Sequence, residues 1–131
     1  MATITAAKII EDGVTSSLST CATGGDEFSN SGVEFIRISN EHATQQYTVT
    51  VTAQTTSYIN PVYGKLTKSN VTKTVSAGAS AFLGPFKQKP WNDANNKVQL
   101  TYTVTSNGAA LSTIDSGVHK LKVEVLYLDN R

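Results

Sequence analysis

The sequence predicts an all-β protein, a β-sandwich or jelly-roll-like fold of six to eight short antiparallel strands with little or no helix. Three observations carry this. Tyr47-Thr48-Val49-Thr50-Val51-Thr52 and Val98-Gln99-Leu100-Thr101-Tyr102-Thr103-Val104-Thr105 alternate apolar with small polar residues, and most of their positions are β-branched or aromatic. That is the period of a strand with one face on a core and the other in water. Turn residues recur at short intervals between such runs, and helical periodicity is nearly absent.

In chain order, Thr3 to Ile10 reads as an extended arm or edge strand, so residues 1–13 are set apart from a single sandwich domain over 14–131. Ala6 to Glu11 has the best helical spacing in the chain, and Asp12-Gly13 stops it after about one turn. Gly24-Gly25 reads as a turn leading to Phe28. Val33-Glu34-Phe35-Ile36-Arg37-Ile38 is a strand between the turn-rich Ser29-Asn30-Ser31-Gly32 and Ser39-Asn40-Glu41. Tyr47 to Ala53 follows. Ser57 to Asn70, with Asn60-Pro61 and Tyr63-Gly64, reads as a long excursion from the sheet. Val71 to Val75 resumes the strands, Ala77-Gly78-Ala79 turns the chain, and Gly84-Pro85 ends a short strand from Ser80 to Leu83. The Asn-, Pro- and Asp-rich stretch Lys87 to Asn96 leads into Val98 to Thr105. Asn107-Gly108 is a turn signal followed by an irregular stretch.

The last strand is the most clearly written. His119, Leu121, Val123, Val125 and Tyr127 share one face, with Lys120, Lys122 and Glu124 on the other. The expected core is Ile36, Ile38, Val49, Val51, Val75, Leu83, Phe86, Val98, Leu100, Tyr102, Val104, Leu121, Val123 and Val125. Burying each such side chain contributes about 1.5–3 kcal/mol, enough in sum to offset chain entropy without a metal or disulfide. Lys73 and Lys122, expected on outer faces, would oppose edge-to-edge aggregation.

Composition narrows the function classes. The chain has 131 residues, a formal net charge of +1 and only 16% charged residues, so Thr, Ser and Asn carry its polarity. That charge makes no case for nucleic acid, and Lys87-Gln88-Lys89 is the nearest approach to a basic patch. Cys21 is the single cysteine, which excludes an intrachain disulfide and a thiolate zinc site. The N-terminus lacks the basic and apolar regions of a signal peptide, and no apolar run reaches the roughly 18 residues needed to span a bilayer. Folding in a reducing cytoplasm, without membrane insertion, is the expectation.

Catalytic constellations are not found. Gly24-Gly25-Asp26-Glu27-Phe28 spells the signature pentapeptide of diguanylate cyclases, yet too few residues precede it for the strand–helix framework of that fold. His42 sits in a polar turn, and His119 begins the apolar face of the last strand. Cys21 has no neighbouring base to make it a nucleophile. Asp93 with Asn92, Asn95 and Asn96 offers oxygen ligands but only one carboxylate, which favours turn chemistry over calcium. The expectation is no enzyme, no cofactor and no metal. Tyr58, Tyr63 and Trp91 lie in loops, where aromatic residues either anchor a contact or fold over the core rim.

Several segments, in order, resemble the capsid decoration (cement) proteins of tailed bacteriophages. They are Met1-Ala2-Thr3-Ile4, Gly25-Asp26-Glu27-Phe28-Ser29-Asn30 ahead of a strand with Phe35, Ile38-Ser39-Asn40, and the Thr/Val strand at Tyr47. Ser76-Ala77-Gly78-Ala79, Phe82-Leu83-Gly84-Pro85-Phe86, Asn92-Asp93 and Lys97 to Tyr102 complete the set. The resemblance covers roughly residues 1–105. It departs at Ser57–Asn70, which is longer than the family's pattern, and at Asn107–Arg131, which adds a strand.

The resemblance implies a virion protein made in the host bacterial cytoplasm. It would sit on the outer capsid surface as a trimer or dimer and bridge subunits of the major capsid protein. Ile4, Ile9 and Ile10 of the arm and the loop residues Tyr58, Tyr63 and Trp91 are then the expected contacts. The competing expectations are a tail or head–tail junction protein, and a carbohydrate-binding β-sandwich module using Trp91 in host attachment.

Overall fold

The computed structural model describes residues 1–55, 57–111 and 121–128, the side chain of Tyr58 excepted. Its strands are Ala2–Ile4 (β1), Ala7–Ile9 (β2), Ser19–Thr20 (β3), Asp26–Ser29 (β4), Phe35–Asn40 (β5) and Tyr47–Val51 (β6). Ser57–Asn60 (β7), Gly64–Thr67 (β8), Val71–Val75 (β9), Ser80–Leu83 (β10), Lys97–Val104 (β11) and Leu121–Leu128 (β12) follow. Gln88–Trp91 (α1) is one helical turn, broken at Lys89, whose φ of −107° and ψ of 127° are extended.

One sheet has the order β1-β4-β11-β6-β9, the other β10-β5-β12-β2 with β3 also paired to β12, and β7-β8 stands apart as a two-stranded sheet. This is the all-β sandwich expected. Its two alternating segments lie side by side, with Tyr102 opposite Val49 and Leu100 opposite Val51. Alternate residues of β6 and β11 are buried, as period-2 patterning requires. All fourteen expected core residues are buried, and Cys21, Phe28, Tyr47, Trp91 and Leu111 join them.

The strands are more numerous and less uniform in direction than the sequence predicts. β1 runs parallel to β4, and β2 runs parallel to β12. Thr5 and Ala6 carry the chain from one sheet to the other, so residues 1–13 are edge strands of both sheets and Ile4 packs on the core. The helical spacing of Ala6 to Glu11 is overridden by this pairing. Two or three residues are too few to display alternation, and nothing local encodes direction when the partner lies far along the chain. The crossing also fixes the layering: β1 and β2 share one flank of the sandwich, β9 and β10 the other.

Lys73 corrects a second expectation. It pairs with the buried Val49, so it springs from the core-side face of β9 and not from the outer face. An inward-pointing charge on an edge strand blocks further strand pairing. On β12, Leu121, Val123 and Val125 face the core as expected. Glu124, on the opposite face, is buried as well, because Ser16 and Ser17 close over its carboxylate. His119 and Lys120 lie outside the described residues.

Candidate interaction surface

The excursion after β6 folds into a hairpin, β7 paired antiparallel to β8 from Ser57↔Thr67 to Asn60↔Gly64. Its tip is specified locally. The Asn60 side-chain oxygen accepts from the backbone N–H of Val62 at 2.8 Å and of Tyr63 at 3.0 Å, and Gly64 takes a φ of +78°. Its base is tied to the body of the sandwich. The N–H groups of Gln54 and Thr55 both donate to the Pro90 carbonyl, Ala53 N–H donates to Asn70, and Lys68 Nζ lies 5.3 Å from the centre of the Trp91 ring.

Held at the base and free at the tip, the hairpin presents Ile59, Val62 and Tyr63 at 81%, 79% and 77% exposure. Single exposed apolar residues are ordinary, but three large ones at the end of one hairpin make it the candidate interaction surface.

At the foot of the hairpin an open groove of about 400 Å³ runs between the β9 and β10 edges. Pro85 gives it an apolar wall, Phe82 borders it from the outer face of β10 opposite Arg37, and Lys68, Lys73 and Trp91 also line it. On the opposite flank, Ile10 and Leu128 are exposed beside the Ile9↔Leu128 pair. A third depression, of about 420 Å³, lies along the β1–β2 crossing and is lined mostly by Thr and Ser. Its two acids are committed elsewhere: Asp26 accepts from Tyr102 and Ala22, Glu124 from Ser16, Ser17 and Arg37.

The expected contact residues therefore separate. Tyr63 is on the projecting tip and Ile10 is half exposed. Ile4 and Ile9 are partly covered by the strand pairing of β1 and β2. Trp91 is corrected: it is buried, packed edge-on against Phe86 at 5.8 Å and covered by Lys68, so its face is not free to stack on a sugar or a partner. Tyr58 lies on β7 by its backbone, and its side chain falls outside the described set. Ile59 and Val62 were missed by sequence reasoning. The usable signal was two aliphatic residues flanking the Asn60-Pro61 turn.

The segments examined for chemistry are occupied by structure. In the Gly24-Gly25-Asp26-Glu27-Phe28 stretch, Asp26 is buried and accepts from the Tyr102 hydroxyl at 2.7 Å, while Glu27 pairs with Lys97 at 3.2 Å. Burial pushes the Cys21 thiol far above its ordinary value, the direction opposite to an activated nucleophile, and burial likewise raises Tyr102. His42 Nδ1 accepts from the N–H groups of Thr44 and Gln45, which makes it a turn brace. Asp93 accepts from Gln99, Lys97 and Asn95, the Gln99 bond being the largest cause of its lowered pKa. Among the described residues, no group of three or more His, Cys, Asp or Glu side chains could hold a metal.

Glu124 is the main buried charge on the outer side of the second sheet. Burial alone would raise its pKa, but hydrogen bonds from Ser16, Arg37 and Ser17 outweigh that and hold it below the ordinary 4.5. A depressed carboxylate stabilises the fold above its unfolded-state pKa, and the contribution disappears as pH falls through the folded value. Glu124→Gln should cost about 1–3 kcal/mol at pH 7, as for a buried charge-assisted hydrogen-bond set. Urea denaturation should show this gap from wild type shrinking steadily as the pH drops below 4.5. A gap independent of pH would mean that the carboxylate charge is not what Ser16 and Arg37 hold.

Comparison with protein-family models, with curated proteins and with solved structures finds no match.

Proposed function

We propose that this chain is a structural virion protein, a decoration protein that binds the outside of a tailed-bacteriophage head and bridges subunits of the major capsid protein. The observation that carries the reading is the β7–β8 hairpin, tied to the sandwich at its base, whose apolar tip has no partner strand in either main sheet among the described residues. Ile10 and Leu128 on the opposite flank are further exposed apolar residues. Two contacts on separate flanks suit a bridge, because the first binding event makes the second effectively intramolecular and modest patches then give high avidity. The ordered resemblance over residues 1–105 supports the same reading, and so does a fold whose buried polar groups serve structure.

The proposed contact is the hairpin tip and not a free N-terminal arm. The N-terminal segment is committed to the chain's own sheets, so the hairpin tip takes the role assigned to a free arm. Assembly into dimers or trimers on the shell remains part of the proposal, as does synthesis in the bacterial cytoplasm before release with the particle.

Copy number tests the reading. Quantitative mass spectrometry of purified particles should find this chain in numbers approaching those of the major capsid protein. A few copies per particle would assign it to the tail or the head–tail junction instead, and its absence from particles would overturn the reading.

A further inference from the structure

Lysines are distributed unevenly in this chain. From His42 to Asn92 there is no Asp or Glu, while Lys65, Lys68, Lys73, Lys87 and Lys89 fall in that span, all exposed. With a net charge of only +1, the remainder of the chain is correspondingly acidic. The fold gathers this span at one flank: the hairpin, the β9 and β10 edges, and the turn through Trp91.

Lys73 is the telling residue. It springs from the core-side face of the edge strand β9 and lines the groove together with Pro85 and, from the outer face of β10, Phe82. Lys68 enters the same groove across Trp91.

We propose that this groove seats an acidic, extended segment of the shell protein. A carboxylate would be held by Lys68 and Lys73, with flanking apolar side chains against Phe82 and Pro85. The proposal rests on the shell-binding reading and names the chemistry of its partner. A concave site lined by two lysines, with a phenylalanine 64% exposed at its rim, matches a side chain better than a flat bilayer. Its apolar walls and the low net charge are poor equipment for a phosphate backbone. A second copy meeting it face to face would bring the same lysines and be repelled.

The test uses the full chain and shells stripped of it. Co-sedimentation of wild type, Lys68→Glu/Lys73→Glu and Lys73→Arg is compared at about 50 and 200 mM salt, where screening lengths differ about twofold. The double variant should bind at least about tenfold more weakly with a shallower salt dependence, as expected for a lost complementary charge pair. Lys73→Arg should bind and melt like wild type, and the double variant, which loses the Lys68–Trp91 contact, should stay folded with a slightly lowered melting temperature.

Zero-length carbodiimide coupling should join Lys68 or Lys73 to an Asp or Glu of the shell protein. Equal affinity of wild type and the double variant overturns the groove and leaves the shell reading standing. Failure of wild type to bind shells overturns both. Coupling to Glu11 or Asp12 of a second copy also overturns the proposal. So does wild-type binding to phosphatidylserine vesicles or duplex oligonucleotides as tightly as to shells.

Discussion

Replacing Ile59 and Val62 with Thr and Tyr63 with Ser, all in one variant, should weaken binding to the shell by at least about a hundredfold, roughly 2.8 kcal/mol. The magnitude follows from where the side chains sit. Each is more than three-quarters exposed in the free chain, so each can contribute nearly its whole apolar surface to a partner. Thr keeps the β-branched character that suits a strand, and the tip is still closed by the Asn60 oxygen and Gly64. Stability should therefore be unchanged, which separates loss of contact from loss of fold. Isothermal titration with stripped shells and a thermal melt of the free chain read the two quantities separately. Undiminished affinity would move the contact to the flank of Ile10 and Leu128.

Gly25→Ala should be the most damaging single methyl group in the molecule, costing about 3–5 kcal/mol from two sources that add. Gly25 has a φ of +92°, where an L-residue is strained by about 1–3 kcal/mol. A Cβ there would also stand 2.5 Å from the Leu100 carbonyl oxygen, which is backbone and cannot swing away. Relief requires parting the start of β4 from β11, next to the buried Asp26–Tyr102 hydrogen bond. Gly24 is the control: it has no positive φ, and a Cβ there meets nothing within 4 Å, so Gly24→Ala should be nearly neutral. Urea denaturation of both variants decides. Equal midpoints would show that the turn relaxes around the added methyl.

The same pair of glycines shows what the sequence could and could not express. The five-residue signature there is a turn-and-strand device in which one glycine is required by geometry and the acid serves a buried hydroxyl. Local pattern resolved the long strands, because five to eight alternating residues display a period and the pairing of Tyr102 with Val49 follows from burying one face.

It showed Thr3 to Ile10 as an arm or edge strand but not its division into β1 and β2 or their parallel pairing with β4 and β12, and it gave no sign of β3, whose partner lies at Lys122. For the same reason Lys73 was placed on the wrong face: an edge strand's inward lysine looks like an outward one until register is known. Trp91 was ambiguous because Pro90 on one side and Asn92 on the other suit a contact loop and a core lid equally. Phe86 and Lys68, which settle it, come from other parts of the chain. Of the exposed hairpin tip, Tyr63 stood out in the sequence, whereas the groove required the two sheet edges to be brought together.

As proposed, this chain is part of a shell and touches it through the β7–β8 hairpin. A cryo-EM map of the intact particle at side-chain resolution tests it directly. It should show sandwich density repeated over the outer capsid lattice, with the turn carrying Val62 and Tyr63 inserted against the major capsid protein. Density confined to the tail or one vertex, or a lattice of sandwiches whose hairpins point into solvent, would contradict it.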